Sequence, residues 1–423
     1  MPMRRTCYLF AALLVLLLAA PAGAKSFWGP LSPVEREALI DLYEATDGEN
    51  WINNEGWLGP PGTECDWHGV SCGCFTEGAC PAVYQIDLEQ NNLRGYLPRS
   101  IRRFRQLQVL NLAINRLQGE VPGELGKLLR LRELELGVNR FTGEIPPELG
   151  RLTRLRYLSL GFNDLHGPLP AELAGLKSVQ LLFLSDNRLS GELPHWVGEW
   201  TALSTLGLDR NELSGSIPAE LFELKDLNEL SLTENHFTGR LPANIGKPEL
   251  HIVHLEGNRL SGPIPESVLD LDFLSYINVS WNAFYPTSPE VEQFFMDRGG
   301  LLGWLQTQTL APENLVVVAT SSSTVRLTWE PAFPGPGLLN ERGGYLVYMK
   351  AAASDRFRLI KTVPGKESSA ASVNGLKPGS LYTFRVRTFS KPHAENENIV
   401  RSELSSSVAV TLPSAPSVEG RLP

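Results

Sequence analysis

From Val83 to Tyr285, apolar positions return in blocks of fixed length separated by polar ones. Each block runs leucine, two variable residues, leucine, one variable, leucine, two variable, asparagine, as at Leu131, Leu134, Leu136 and Asn139. The asparagines Asn91, Asn115, Asn139, Asn163, Asn187, Asn211, Asn235, Asn258 and Asn282 follow one another at steps of 24 residues, with a single step of 23 after Asn235. A period of this length means one supersecondary unit stacked on itself, so the expected fold is a repeat solenoid. The alternation inside each block predicts a short parallel strand, with its leucines inward and its variable residues outward on a concave face. The asparagine should turn the chain and satisfy backbone groups at the bend. A glycine such as Gly143 then permits a tight backbone, and a proline such as Pro146 ends the segment. These residue types are scaffold, and chemistry must be sought at the variable positions.

The pattern changes at both ends. Ser32, Pro33 and Glu35 form a capping box with proline at the first helical position, and Val34, Ala38, Leu42 and Tyr43 mark an apolar stripe. Trp51, Trp57 and Trp67 follow and should cover the edge of the first repeat, sugar stacking being the weaker use for them. Beyond Trp281, Pro289 to Arg298 predicts a sealing helix with Val291, Phe294 and Phe295 on one side, and Gly299, Gly300 and Gly303 mark a hinge. From Pro312 to Leu412 short alternating strands take over: Leu315 to Ala319, Thr324 to Trp329, Tyr345 to Lys350, Phe357 to Val363, Leu381 to Thr388 and Val408 to Leu412. The expected organisation is a signal peptide at 1–24, a cap at 25–82, nine repeats at 83–285 and a cap helix with linker at 286–311. A sandwich at 312–412 and a disordered tail at 413–423 complete it.

The chain carries a formal net charge of −9. The repeats hold the acidic excess while the sandwich segment is basic, which argues against nucleic acid as a partner. Arg99, Arg102, Arg103 and Arg105 read as one solvated turn. Arg4 and Arg5, the apolar run Leu9 to Ala20 and the small residues Ala22, Gly23 and Ala24 predict export, and no later run is long enough for a membrane helix. In an oxidising compartment Cys65, Cys72, Cys74 and Cys80 would pair. Nearness favours Cys65 with Cys72 and Cys74 with Cys80, while a zinc set with His68 is disfavoured by the Cys-x-Cys spacing.

The unit Leu-x-x-Leu-x-Leu-x-x-Asn-x-Leu-x-Gly-x-Ile-Pro, with Cys65, Trp67, Gly69, Val70 and Cys72 in front, resembles the plant-type leucine-rich-repeat family. It is similar to receptor-kinase ectodomains and polygalacturonase-inhibiting proteins. The resemblance implies a right-handed superhelix with a concave parallel β-sheet, an extra short strand near Gly-x-Ile-Pro, and helical N- and C-terminal caps. It also implies recognition of proteins, peptides or wall components. Pro312, Leu315, Trp329, Tyr345, Leu376, Pro378, Gly379 and Tyr382 resemble a fibronectin type III module, an all-β immunoglobulin-like sandwich with a tyrosine corner, for which a spacer role is the default.

Reading the outward columns places Val109, Ile114, Val138, Tyr157, Phe162, Leu181 and Phe183 in one apolar and aromatic patch. Glu133, Glu135, Asp186, Asp209 and Arg210 should form its rim. His254 and Glu256, beside Glu229, Ser231 and Asn278, read as ordinary polar lining before an acid/base or metal cluster, because an open groove tunes catalytic groups poorly. No nucleophile, phosphate loop or dinucleotide motif is present, so neither enzyme activity nor a metal or cofactor is expected. The expected protein is secreted or extracellular, periplasmic if bacterial, monomeric and non-catalytic, and binds a protein or peptide through the concave face. Surface polysaccharide binding and inhibition of a secreted hydrolase are the alternatives. One glycosylation sequon occurs, at Asn278.

Overall fold

In the computed structural model, residues 30–74, 81–298, 304–331, 343–393 and 396–414 are described. The expected signal peptide, the hinge glycines and Cys80 lie outside them, and so does the Cys74 with Cys80 pairing.

Serine at the N-cap and proline at the first position open the helix Pro33–Ala45, where Ser32 Oγ accepts the Glu35 N–H at 3.3 Å. Ala38, Leu39, Leu42 and Tyr43 are buried, but Val34 is 53 % exposed, so the stripe begins one turn later than its sequence order implies. Trp51, Trp57 and Trp67 are 6 %, 8 % and 1 % exposed and pack in series over the first repeat, Trp51 edge to face on Trp57 and Trp57 tilted by 41° against Trp67. They serve as cap packing, with no ring face free for a sugar. Cys65 and Cys72 are joined, which removes Cys72 from the zinc set.

The inward leucines build a ten-stranded sheet, with Val70–Gly73 antiparallel at its edge and parallel strands from Ala82–Asp87 through to Tyr276–Asn278. A second sheet of nine short strands runs from Arg94–Gly95 to Ala283–Tyr285 at the Gly-x-Ile-Pro portion, as the resemblance implied. Short 3-10 turns form the remaining side of most coils. There the repeats approach so closely that a Cβ on Gly150 would stand 1.9 Å from the Glu172 carbonyl oxygen. The helix Pro289–Arg298 buries Val291, Phe294 and Phe295 at the far end. Arg99–Arg103 is one of the 3-10 turns, and Arg103 reaches Glu37 at 3.1 Å.

The asparagines form a hydrogen-bonded ladder. Asn163 Nδ2 donates to Leu160 O at 3.0 Å, Gly161 O at 3.2 Å and, one repeat back, Leu136 O at 3.1 Å, while its Oδ1 accepts the Phe141 N–H at 2.9 Å. The same set recurs at Asn139, Asn187, Asn211, Asn235 and Asn282. One carboxamide thus ties together two consecutive bends that would otherwise bury unpaired polar backbone.

The C-terminal sandwich packs a sheet of Glu313–Ser321, Thr324–Glu330 and Ala370–Val373 against one containing Arg358–Pro364, Gly343–Ala351, Leu381–Ser390, Val400–Arg401 and Val408–Thr411. Trp329 and Tyr345 meet in its core at 5.0 Å, and Tyr382 Oη accepts the Lys377 N–H at 3.1 Å, which makes the tyrosine corner. Ala370–Val373 and Val400–Arg401 carry no expectation from the sequence. Each is too short or too rich in small residues to alternate visibly.

The sandwich is docked on the array, so a free spacer does not describe it. Asn398 Nδ2 donates to Asn235 O at 2.6 Å and Gly257 O at 3.0 Å. Asn396 Nδ2 donates to Trp281 O at 2.6 Å and Asn258 O at 3.0 Å. Arg240 and Tyr285 both hold Glu403, at 2.7 and 3.1 Å, and His393 stacks edgewise on Trp281 at 4.6 Å.

Candidate functional site

The strand register settles how the outward residues stand. Val109, Glu133, Tyr157, Leu181 and Thr205 are successive partners in one column, and Asn111, Glu135, Ser159, Phe183 and Gly207 in the next. Tyr157 and Phe183 are thereby brought together, with ring centroids 5.8 Å apart and planes tilted by 52°. Phe183 has Ser159 on one side and Gly207 on the other, where a Cβ would approach its ring to 3.1 Å. The absence of a side chain at Gly207 makes room for the Phe183 ring, which leans over that buried backbone, a feature that columns of apolar residues alone do not reveal.

Val109, Tyr157, Leu181 and Phe183 are half-buried, whereas Ile114, Val138 and Phe162 are 43 %, 46 % and 51 % exposed. The latter three lie on a ridge where the chain leaves the sheet, each with left-handed φ, at 57°, 55° and 56°.

The proposed rim is arranged differently from its expectation. Glu133 sits between Val109 and Tyr157, inside the patch, and separates Val109 from the aromatic pair. Asp186 and Arg210 form a two-pronged ion pair at 2.6 and 2.7 Å, and Asp209 accepts from Ser231 Oγ, from Ser185 Oγ at 2.9 Å and from the Thr233 N–H at 3.2 Å. Those three charges are internally satisfied, which leaves Glu133 and Glu135 as the acids in a position to meet a ligand. Burial, with the carboxylates of Glu89, Glu133 and Asp87, raises Glu135 to about 7. Burial and the Glu135 charge likewise push the Tyr157 hydroxyl up to about 12, so it stays a neutral donor.

His254 Nδ1 lies 3.5 Å from Glu256 Oε1. Burial opposes protonation of His254, but Glu256, Asp209 and Glu229 outweigh it and hold the imidazole above its ordinary value. No group of three or more His, Cys, Asp or Glu side chains suited to a metal occurs among the described residues. A polar depression of about 490 Å³ lined by Gln180, Ser204, Lys225, Asp226, Asn228 and Glu249 lies at the strand-entry edge, apart from the aromatic pair. It is open and polar, so it would exclude little water.

Residues 106–128 and 129–189 match the leucine-rich-repeat family, and residues 310–401 match the fibronectin type III domain. The chain is a leucine-rich-repeat array joined to a fibronectin type III domain. It is similar to the leucine-rich-repeat ectodomain of the plant membrane receptor kinase GASSHO1/SCHENGEN3 from Arabidopsis thaliana, solved in complex with CASPARIAN STRIP INTEGRITY FACTOR 2. That likeness is 32 % identical over 59 % of this chain and 29 % of that one, with a TM-score of 0.55. A plant ice-binding protein shares the fold alone, 23 % identical over 63 % of this chain and 92 % of its own, with a TM-score of 0.51. Interference hedgehog of Drosophila mojavensis is 31 % identical over 99 residues, 23 % of this chain. The chain spans only 10 % of the length of that curated relative. No helix among the described residues is long and apolar enough to cross a membrane.

Proposed function

We propose that this leucine-rich-repeat protein is an exported, non-catalytic recognition protein. It grips a peptide or protein segment across the outward faces of Glu133–Glu135, Tyr157–Ser159 and Leu181–Phe183. The observation that carries this reading is the Tyr157 and Phe183 ring pair on the outward face, beside two acids, Glu133 and Glu135, that pair with no Lys or Arg among the described residues. Adjacent aromatic rings supply large contact area, and a ring edge beside carboxylates suits a Lys or Arg side chain whose stem lies on the rings. A bound cation would draw the Glu135 proton off, so affinity for such a ligand should strengthen as pH rises through about 7. The peptide complex of the similar receptor ectodomain supports the same class of ligand.

Polysaccharide binding is less favoured, because stacking on sugars wants an exposed flat ring face, and these two half-buried rings are tilted by 52°. Inhibition of a secreted hydrolase would be a special case of protein recognition. Tyr157→Ser combined with Phe183→Ser should weaken binding of a partner purified by affinity capture by at least about thirtyfold, or roughly 2 kcal/mol. An affinity within about twofold of wild type, with an unchanged circular dichroism spectrum, would remove the patch from consideration.

A further inference from the structure

The main-chain carbonyls of the ladder asparagines fall into two groups. At the ends the chain's own donors cover them: Ile52 N–H reaches Asn91 O at 3.1 Å and Thr309 N–H reaches Asn282 O at 2.8 Å. The carboxamides of Asn398 and Asn396 reach Asn235 O at 2.6 Å and Asn258 O at 3.0 Å. Asn396 and Asn398, two residues apart, each bridge two consecutive rungs through their second contacts to Trp281 O and Gly257 O. Between these ends, Asn115 O, Asn139 O, Asn163 O, Asn187 O and Asn211 O receive no donor from the described residues.

Exposed carbonyls are commonly water-bonded and by themselves mark nothing. On the first three of these rungs, however, stand Ile114, Val138 and Phe162, exposed, apolar and left-handed in φ. The left-handed position recurs along the array, held by Asp186 and Arg210 on neighbouring rungs and by Glu234, Gly257 and Trp281 where the sandwich docks, so exposed apolar side chains are what set Ile114, Val138 and Phe162 apart. A β-branched side chain in that region is strained, and exposure to water gives it no folding benefit. Folding alone therefore supplies no reason for Ile114 and Val138, whereas a covering ligand does.

We infer that the ridge from Asn115 to Asn163 binds an extended peptide of a partner protein in the way the sandwich loop binds the rungs from Asn235 to Asn282. Asn or Gln carboxamides at alternate residues donate one bond each to the ladder carbonyls, Val138 O and Phe162 O being already taken by the Asn115 and Asn139 N–H groups at 3.1 Å, and apolar side chains between them rest on Ile114, Val138 and Phe162. This rests on the recognition reading above and names the ligand's chemistry. In the loop the intervening residue is Glu397, whose charge faces Glu234. On the free ridge the facing residues are Val138 and Phe162, so an apolar one fits. Two extended residues rise about 6.6 Å and neighbouring strands lie about 4.8 Å apart, so the segment slips by roughly 2 Å per rung. The motif is accordingly short, an Asn-x-Asn pair like the loop's own.

The probe is the amidated peptide Lys-Leu-Asn-Leu-Asn-Leu-Lys, added to the full chain carrying labelled Ile and Val methyl groups. We expect saturable NMR shifts at Ile114 and Val138. Binding should weaken about tenfold when both carboxamides are N,N-dimethylated, the loss of roughly two hydrogen bonds, and also when Phe162 is replaced in the variant Phe162→Ser. Equal binding of the two peptides, or no shift at Ile114 and Val138 at millimolar peptide, overturns the inference. Partner binding that is sensitive to Tyr157→Ser with Phe183→Ser but not displaced by the probe would overturn this inference alone. A probe that shifts the ridge while that double variant binds its partner normally would overturn only the aromatic-patch reading.

Discussion

Asn187→Ala should destabilise the array by about 3 to 4 kcal/mol. The Asn187 side chain accepts the Leu165 N–H at 2.9 Å and donates to Leu160 O, Leu184 O and Ser185 O at 3.0, 3.1 and 3.3 Å, and the residue is 9 % exposed. Alanine removes every one of these partners and fills none of their valences. Each buried polar group left alone costs about 1 to 3 kcal/mol, and partial water access to the bend keeps the sum below the full total. Because a solenoid's stability is a sum of repeats and nearest-neighbour interfaces, the damage should concentrate on the bends beside Asn187. Urea denaturation of the full chain, with amide exchange at Leu165, checks this. A loss below about 1 kcal/mol with Leu165 still protected would mean that the ladder does not hold the bends.

Lys366→Met should stabilise the sandwich at neutral pH and abolish most of its pH dependence between about 7 and 10. Burial lowers Lys366 to about 7. Its Nζ donates to Ser390 Oγ at 2.7 Å, Ser390 Oγ lies 2.5 Å from Thr309 Oγ1, and the Thr309 N–H bonds Asn282 O at 2.8 Å. This chain of bonds leads from the sandwich interior to the last rung of the array. An unfolded lysine titrates near about 10.4. Between about 7 and that value the unfolded chain holds the proton and the folded one does not, so wild-type stability rises with pH across the window. The slope is bounded by about 1.4 kcal/mol per pH unit, and solvent reaching the partly exposed side chain reduces it. Below pH 7 both states are protonated and the slope vanishes. Calorimetry of the full chain from pH 6 to 10 reads this directly. An identical pH slope in wild type and variant would show that Lys366 does not titrate in this range.

What could be read from the sequence was whatever backbone chemistry forces on residue identity at a fixed spacing. Only a carboxamide offers donors and an acceptor together at the bend, so the asparagines announce both the period and the strand ends. Tyr382 does the same at its corner through the Lys377 N–H. Side-chain pairing across rungs was less visible. Asp186 and Arg210 sit on one column and neutralise each other, and Asp209 spends its acceptors on Ser185, Ser231 and Thr233, although all three read as rim charges. Glu133 belongs inside the patch because the register sets it opposite Val109 and Tyr157. The docking of Asn396 and Asn398 had no local signal. Their partners lie more than a hundred residues earlier, and an Asn-Glu-Asn loop tip looks like any solvated turn until the carbonyls of three rungs are placed beneath it.

Hydroxyl-radical footprinting of the full chain, with and without its captured partner, tests the recognition surface most directly. Tyr157, Phe162 and Phe183 should lose reactivity on binding while Tyr96 and Phe273, 61 % and 59 % exposed elsewhere on the array, keep theirs. Protection of Tyr96, Phe273 or the sandwich's Phe357, with Tyr157, Phe162 and Phe183 unchanged, would contradict that expectation.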